Sequence, residues 1–391
     1  MPNKYLMWKK KRICPVYNGE DIISLSMNGV IVRDLDAGGK MPTSFDGYQY
    51  IESGNLLMCL FDIDVTPRCI GLIKCNGLTS PAYSQFVLTN RANAGYYNYY
   101  YTMLDNDKTL VHLAKNLRHS LTEEQLGTIS TIVPPIDEQI KISNYLDKKC
   151  EEINSVVAQL QEEIEALEEY KRSVITEAVT KGLDPDVEMR DSGVQWIVEI
   201  PTHWTLIRIG SLYGLRTQKV SDIDYPPLSV TKMGVLPQLD TVAKTNAHDD
   251  RKLVVKGDFV INSRSDRRGS CGISDYTGSV SLINTVLFPI TEMNPRYYNW
   301  YFHTVGFADE FYRWGHGIVD DLWTTGWQDM KNILISVPPL DEQQRIADYL
   351  DSKCAEIDNI ITEKKQQIET IEEYRKSLIF EYVTGKKEVQ A

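Results

Sequence analysis

The run Asn262-Ser263-Arg264-Ser265-Asp266-Arg267-Arg268-Gly269-Ser270 gathers three arginines, three serines and an aspartate in one turn region. It follows a run, Asp258–Ile261, that reads as a short strand, as does Val280–Leu287. Arginine forks match guanine edges in the major groove, serine and aspartate can meet base edges, and backbone amides and basic side chains hold phosphates. Ser263, Arg264, Ser265, Asp266, Arg267 and Arg268 are therefore candidate DNA contacts. The corresponding run in the first half of the chain is Asp62-Ile63-Asp64-Val65-Thr66-Pro67-Arg68, with Asp62, Asp64, Thr66 and Arg68 as candidates. Its different composition would let the two loops read different sequences. A solvated surface loop is the plainer alternative for both.

Other chemistries find little support. His303 and His316 have no partner at metal-ligand spacing, which argues against metal or catalytic roles; His316 is carried as a polar DNA-contact candidate. The seven cysteines are Cys14, Cys59, Cys69, Cys75, Cys150, Cys271 and Cys354, an odd number with no CxxC pair. Reduced thiols in a cytoplasmic protein are the simplest reading. There is no GxxxxGK[ST] loop and no glycine-rich cofactor loop after a first strand. Asp224-Tyr225-Pro226-Pro227 has the letters of an amino-methyltransferase motif in the wrong order. The acids of Pro185-Asp186-Val187-Glu188-Met189-Arg190 stand too close together for a nuclease pair. The expectation is a chain with no catalytic, cofactor or metal residues of its own. The aromatic runs Tyr96–Tyr101 and Tyr297–Phe302 suggest base stacking. Their recurrence at matched positions and their helical spacing favour core packing.

The elements that would position these loops come from a repeat. Val133-Pro134-Pro135-Ile136-Asp137-Glu138-Gln139 returns as Val337-Pro338-Pro339-Leu340-Asp341-Glu342-Gln343, and roughly half of nearly fifty aligned residues are identical. A spacing of about two hundred residues is too long for a solenoid, so the chain reads as a duplicated pair of modules. Each repeat segment predicts a long helix: two prolines, then acids in the first turn where the helix dipole favours them. Leu146, Ile153, Leu160, Leu167 and Val174 recur every seven residues, with Cys150, Val157, Ile164 and Ala178 four behind and Lys171 interrupting. The second copy offers Leu350, Ile357, Ile371 and Leu378 with Cys354, Ile361, Ile368 and Tyr382, interrupted by Lys364 and Arg375. These are heptad seams. About 43 helical residues would span about 65 Å, and each seam needs a partner. The other copy is the obvious one, packed antiparallel about a pseudo-twofold axis. Gly182 and Gly385 follow as stops.

Composition agrees with a soluble globular chain: 391 residues, 42% hydrophobic and 25% charged. The net charge of −12 excludes a uniformly basic nucleic-acid coat but not basic loops. Residues 1–132 carry +1, 133–200 carry −9, 201–336 carry 0 and 337–391 carry −4. The helices thus hold the acid. No apolar stretch of about 18 residues predicts a membrane span, and the basic Met1–Arg12 segment lacks the apolar core of a secretory signal.

Taken together, the layout resembles the specificity (S) subunits of type I DNA restriction–modification enzymes. The resemblance rests on the two PPxDEQ-type segments at 134–139 and 338–343 with their helices, and on Thr180-Lys181-Gly182-Leu183-Asp184-Pro185 leading to Asp191–Trp196 and Ile200-Pro201-Thr202-His203-Trp204. It rests also on Gly315-His316-Gly317-Ile318-Val319-Asp320-Asp321-Leu322-Trp323. It implies two α/β (α+β) target recognition domains, 1–132 and 201–336, joined by a long antiparallel two-helix coiled coil from 133–182 and 337–391, with 183–200 as linker. Each domain would read one half of a bipartite double-stranded DNA site. The helices would set the spacer and dock two methyltransferase subunits, and a restriction motor–nuclease subunit would join. S-adenosylmethionine would sit on the methyltransferase. The first domain departs from the pattern by lacking the IPxxW approach found before Trp204. The rival reading is a coiled-coil adaptor or scaffold with two protein-binding heads.

Overall fold

The structure, a computed structural model, describes residues 1–27, 29–37, 42–114, 119–238, 250–317 and 323–390. The chain divides into two compact units, residues 1–161 with 365–391 and residues 162–364. Each mixes strands and helices in the α+β manner.

In the first unit the strands are short: β1 (Met7–Lys10), β2 (Ile23–Ser26), β3 (Gly29–Val32), β4 (Gln49–Ile51), β5 (Leu56–Met58), β6 (Ile70–Leu72), β7 (Gly77–Thr79) and β8 (Ser84–Leu88). The main sheet is antiparallel in the order β1-β8-β5-β6. All three residues of β5 are buried, so this central strand is covered on both faces. Helix α1 (Ala94–Asn106) brings its tyrosines into the same core; Tyr96, Tyr97, Tyr99, Tyr100 and Tyr101 are all buried. The cluster is part of the hydrophobic core. Asn93 caps α1 by accepting from Tyr96 N. Helix α2 (Glu123–Thr128) opens on a Thr122–Gln125 capping box, and α3 (Ile136–Lys181) follows.

The second unit carries β9 (Met189–Asp191), β10 (Glu199–Pro201), β11 (Thr205–Arg208), β12 (Tyr213–Leu215), β13 (Lys219–Val220), β14 (Leu228–Thr231), β15 (Gly234–Pro237) and β16 (Arg251–Val254). It continues with β17 (Phe259–Asn262), β18 (Cys271–Ile273), β19 (Gly278–Val280), β20 (Asn284–Pro289), α4 (Pro295–Phe302), α5 (Val305–Arg313), α6 (Trp327–Met330), β21 (Leu334–Val337) and α7 (Leu340–Val383). Its main sheet has the order β12-β20-β17-β18, again antiparallel. Tyr297, Tyr298, Tyr301 and Phe302 of α4 are fully buried on it.

Two expectations need correction. Val280–Leu287 is not one strand: β19 ends at Val280, and Asn284, the first residue of β20, closes a turn by donating its backbone and side-chain N–H to Ser281 O. Nor is 183–200 a bare linker. It folds into the β9–β10 hairpin and buries Ile197 and Ile200.

The repeated PPxDEQ segment has a structural reason. Gln139 is fully buried; its amide donates to Pro134 O at 2.8 Å and Arg91 O at 3.0 Å, and its oxygen accepts from Asn93 N at 2.8 Å. Gln343 does the same in the second unit, donating to Pro338 O at 2.9 Å and accepting from Asn294 N at 2.9 Å. In each unit one glutamine thus staples the start of a long helix to the cap of the tyrosine helix. A second joint is also shared. Tyr96 donates to Val383 O at 2.9 Å in the first unit, and Tyr297 donates to Val179 O at 3.1 Å in the second. A third is a close approach over the edge strand. A Cβ on Gly71 would stand 3.1 Å from Val30 N, and one on Gly272 would stand 2.8 Å from Gly234 Cα, so a hairpin can lie on β6 and on β18.

The heptad residues pack within each unit. In the first, Leu146 and Ile153 are buried with Leu378 and Val383, while Leu160, Ile368 and Ile371 are half-buried. In the second, Ile164, Leu350, Ile357 and Ile361 are buried and Leu167 half-buried. The polar interruptions meet polar partners from the other long helix: Lys171 with Asp358 at 2.6 Å, Lys364 with Glu163, and Arg375 with Asn154 at 3.1 Å. No helix among the described residues is long and apolar enough to cross a membrane.

Candidate nucleic-acid interface

The loop between β17 and β18 is closed on itself. Asn262 Oδ1 accepts from Arg264 N at 3.1 Å, and a single 3-10 turn spans Ser265–Arg267. Arg267 O accepts from Ser270 N at 2.9 Å, and Gly269 takes φ +75°, a conformation costly for side-chain-bearing residues. The loop is also fastened from outside. The Ser263 hydroxyl lies 3.0 Å from that of Thr285, and Ser263 O accepts from Thr325 N at 3.0 Å. Arg264 forms a backbone bridge with Thr324, and His316 pairs with the same Thr324 through bonds of 2.9 and 3.0 Å.

The fold therefore brings Ser263, Arg264 and His316 together along residues 323–325, although His316 lies some fifty residues further on. Residues 318–322 of the Gly315–Trp323 motif lie outside the described residues. The His316 ring is 75% exposed, with Nε2 3.3 Å from Asp329 Oδ1.

The arginine side chains remain at the surface. Arg264 Nε is 3.0 Å from Asp266 Oδ1. Arg267 is 67% exposed and approaches Asp266 at 3.7 Å. Arg268 pairs with Asp309 of α5 and lies over the Tyr312 ring, 5.2 Å from its centroid. Beneath the loop is a pocket with about 20 Å³ of free space, room for one water, lined in part by Arg264, Arg268, Phe307, Tyr312, Trp323 and Thr325. Asp309, Tyr312, Trp323 and Asp329 were not readable as site residues, because nothing in their local sequence links them to residues 263–268. The Gly315–Trp323 run was the available signal, since it ends on Trp323.

The counterpart loop after β5 is braced internally. Asp62 takes a left-handed φ of +47°, and its carbonyl accepts from Val65 N at 3.2 Å and Thr66 N at 2.8 Å. The Thr66 carbonyl accepts from Lys108 Nζ at 2.7 Å, and Asp105 takes both Lys108 Nζ at 2.8 Å and Cys69 N at 2.7 Å. Arg68 donates to Ile70 O at 2.9 Å, Met27 O at 3.2 Å and Thr102 Oγ1 at 3.5 Å. Burial, and next the charge of Arg375, push its guanidinium below the usual range. Asp64 is exposed, 3.3 Å from the His119 ring. Asp62 and Thr66 are half-buried.

Residues 203–370 match the family described as Type I restriction modification DNA specificity domain. A curated relative from Methanocaldococcus jannaschii, named for the specificity subunit of the type I restriction enzyme MjaX, is 24% identical over 283 residues; the match covers 69% of this chain and 62% of the relative's length. The fold is shared with a chain solved in work on complex assembly and conformational transition of the type I R-M system, with a TM-score of 0.70 and 14% identity over 98% of this chain and 96% of that one. It is shared also with the HsdS subunit from Thermoanaerobacter tengcongensis, with a TM-score of 0.51 and 14% identity over 99% and 96% of the two chains. The matched residues take in β11 to β21 and most of α7. These matches agree with the resemblance read from the sequence.

Proposed function

We propose that the chain is the non-catalytic DNA-reading subunit of a type I adenine methyltransferase and endonuclease. Residues 1–132 and 201–336 act as two target recognition domains, each reading one half of a bipartite duplex site. Residues 133–182 and 337–391 pair as an antiparallel coiled coil whose length sets the spacer, with 183–200 connecting the modules. The duplicated layout makes the pair pseudo-twofold. Two methyltransferase subunits dock on the helices and hold S-adenosylmethionine, and a motor–nuclease subunit joins them in the cytoplasm.

The observation that carries this reading is the exposed arginine loop 263–268, fastened to residues 316 and 324–325 within a specificity domain. On the DNA, loop arginines take guanine edges and phosphates, and serine and aspartate side chains take the remaining polar edges. Two readers entering successive major grooves on one duplex face would be about 34–36 Å apart.

Mapping methylated adenines in cells carrying this chain with its methyltransferase tests the reading. A bipartite motif is expected. One heptad inserted into 146–179 should lengthen the gap and leave both half-sites as they were. A methylation pattern untouched by deletion of the chain would overturn the proposal. Changed half-sites around an unchanged gap would overturn the spacer role.

A further inference from the structure

We propose that Arg268 reads a guanine, held in aim by Asp309 and by the Tyr312–Trp323 stack, so that the second half-site contains one obligatory G·C pair. The inference rests on the DNA-reading function above and assigns chemistry within it.

The three arginines of the loop stand in different surroundings. Arg264 and Arg267 share Asp266, a neighbour from their own turn. Arg268 is gripped by a separate element. Asp309, on α5, pairs with its guanidinium, and Tyr312, three residues further along the same helix, lies beneath the guanidinium plane. Tyr312 in turn stacks on Trp323 with ring centroids 5.8 Å apart and planes at 29°. The indole is pinned because Trp323 Nε1 donates to Tyr312 O at 3.0 Å. Gly315 lets it lie there, since a Cβ at that position would collide with the indole nitrogen.

Such a platform has two consequences. A free arginine side chain gives up much of its rotamer freedom on binding, whereas a stacked and paired one has already lost it. The fork also has five N–H donors, so a carboxylate on one edge leaves donors for the paired N7 and O6 acceptors of guanine. Adenine presents an amino donor in place of O6 and is refused. Asp309 meanwhile offsets the charge of Arg268 and repels phosphate, which disfavours a backbone contact. Arg267, exposed and loosely paired, fits the phosphate role instead.

The test uses the full chain and a library of duplex DNA with randomised sequence, selected and sequenced at fixed salt. Arg268→Ala and Arg268→Lys should each lose preference for guanine at one position, by about tenfold to hundredfold, the range of a bidentate base contact. Lysine keeps the charge, so its failure to rescue identifies the fork as the reader. Asp309→Asn should blunt the same preference several-fold and raise affinity for unrelated sequences, and Tyr312→Phe should retain the preference. Arg267→Ala should weaken all sequences alike. Circular dichroism should be unchanged for each variant. A uniform loss with Arg268→Ala, or full guanine preference in Arg268→Lys, overturns the assignment. Unchanged preference in Asp309→Asn removes the positioning role. If the wild-type chain selects no duplex at all, the DNA-reading function falls and takes this assignment with it.

Discussion

The loops at 59–69 and 262–270 occupy the same place in two sheets of the same strand order, yet they spend their polar groups in opposite ways. The first turns inward. Arg68 satisfies backbone carbonyls and a threonine hydroxyl, and the loop backbone is held by Lys108 and Asp105. The second turns outward, with Arg267 two-thirds exposed and Arg268 posed on an aromatic platform. The framework beneath is shared down to single hydrogen bonds: the glutamine staple, the tyrosine-to-helix bond and the bare edge-strand glycine. Loop chemistry has therefore diverged while the joints have not. An arginine in such a loop is a surface group or a brace according to what lies behind it.

The sharpest way to break this contrast is by stability. Arg68→Ala should lower the stability of the first unit by about 1–3 kcal/mol, because carbonyls within the fold lose their donor. Arg267→Ala should stay within about 0.5 kcal/mol, as an exposed side chain does. Urea melts read both, and equal effects would erase the distinction between brace and reader.

The shared joints make a matched prediction of similar size. Gln139→Ala and Gln343→Ala should each cost about 1–3 kcal/mol, since each leaves a buried backbone N–H and carbonyl unpaired. A large loss for one and none for the other would show that the staples are not equivalent.

A smaller effect concerns pH. Burial raises the phenols of both tyrosine helices, Tyr97 to about 12 and Tyr297 well above its ordinary 10.0. The folded state holds these groups neutral while the unfolded chain ionises them near 10. Their contribution is full below that pH and is lost as pH rises through the folded values. Urea midpoints should hold level at neutral pH and fall above about pH 10 for both units. Phenols titrating at their ordinary pKa with no loss of stability would mean that the clusters are surface platforms and not core.

The smallest effect is expected on the long helices. Lys171 is 24% exposed and Asp358 56%, so Lys171→Met should change stability by less than about 1 kcal/mol. A larger loss in a thermal melt would make the polar interruptions structural anchors.

Much of the framework was legible in the sequence, because helices of 46 and 44 residues announce themselves through heptads, prolines and stop glycines. The tyrosine runs could be assigned to the core because they recur at helical spacing. What could not be read was which arginines turn inward and which stay at the surface. Arg68 and Arg268 look alike in one dimension. Their fates depend on Met27 and Thr102 in one case and on Asp309 and Tyr312 in the other, all between 34 and 44 residues away. The hairpin within 183–200 escaped for a related reason: a three-residue strand is too short to show a period.

The glutamine staple sets a rule for anyone grafting parts of this molecule. Gln139 grips the residue that caps the tyrosine helix, and Gln343 grips its counterpart, each across fewer than fifty residues. A chimaera spliced between Asn294 and Gln343 would pair halves of two different clasps, whereas a transplant confined to residues 262–270 leaves both clasps closed. Reprogramming by loop exchange should therefore be gentler on folding than exchange of a whole head cut at the helix boundary.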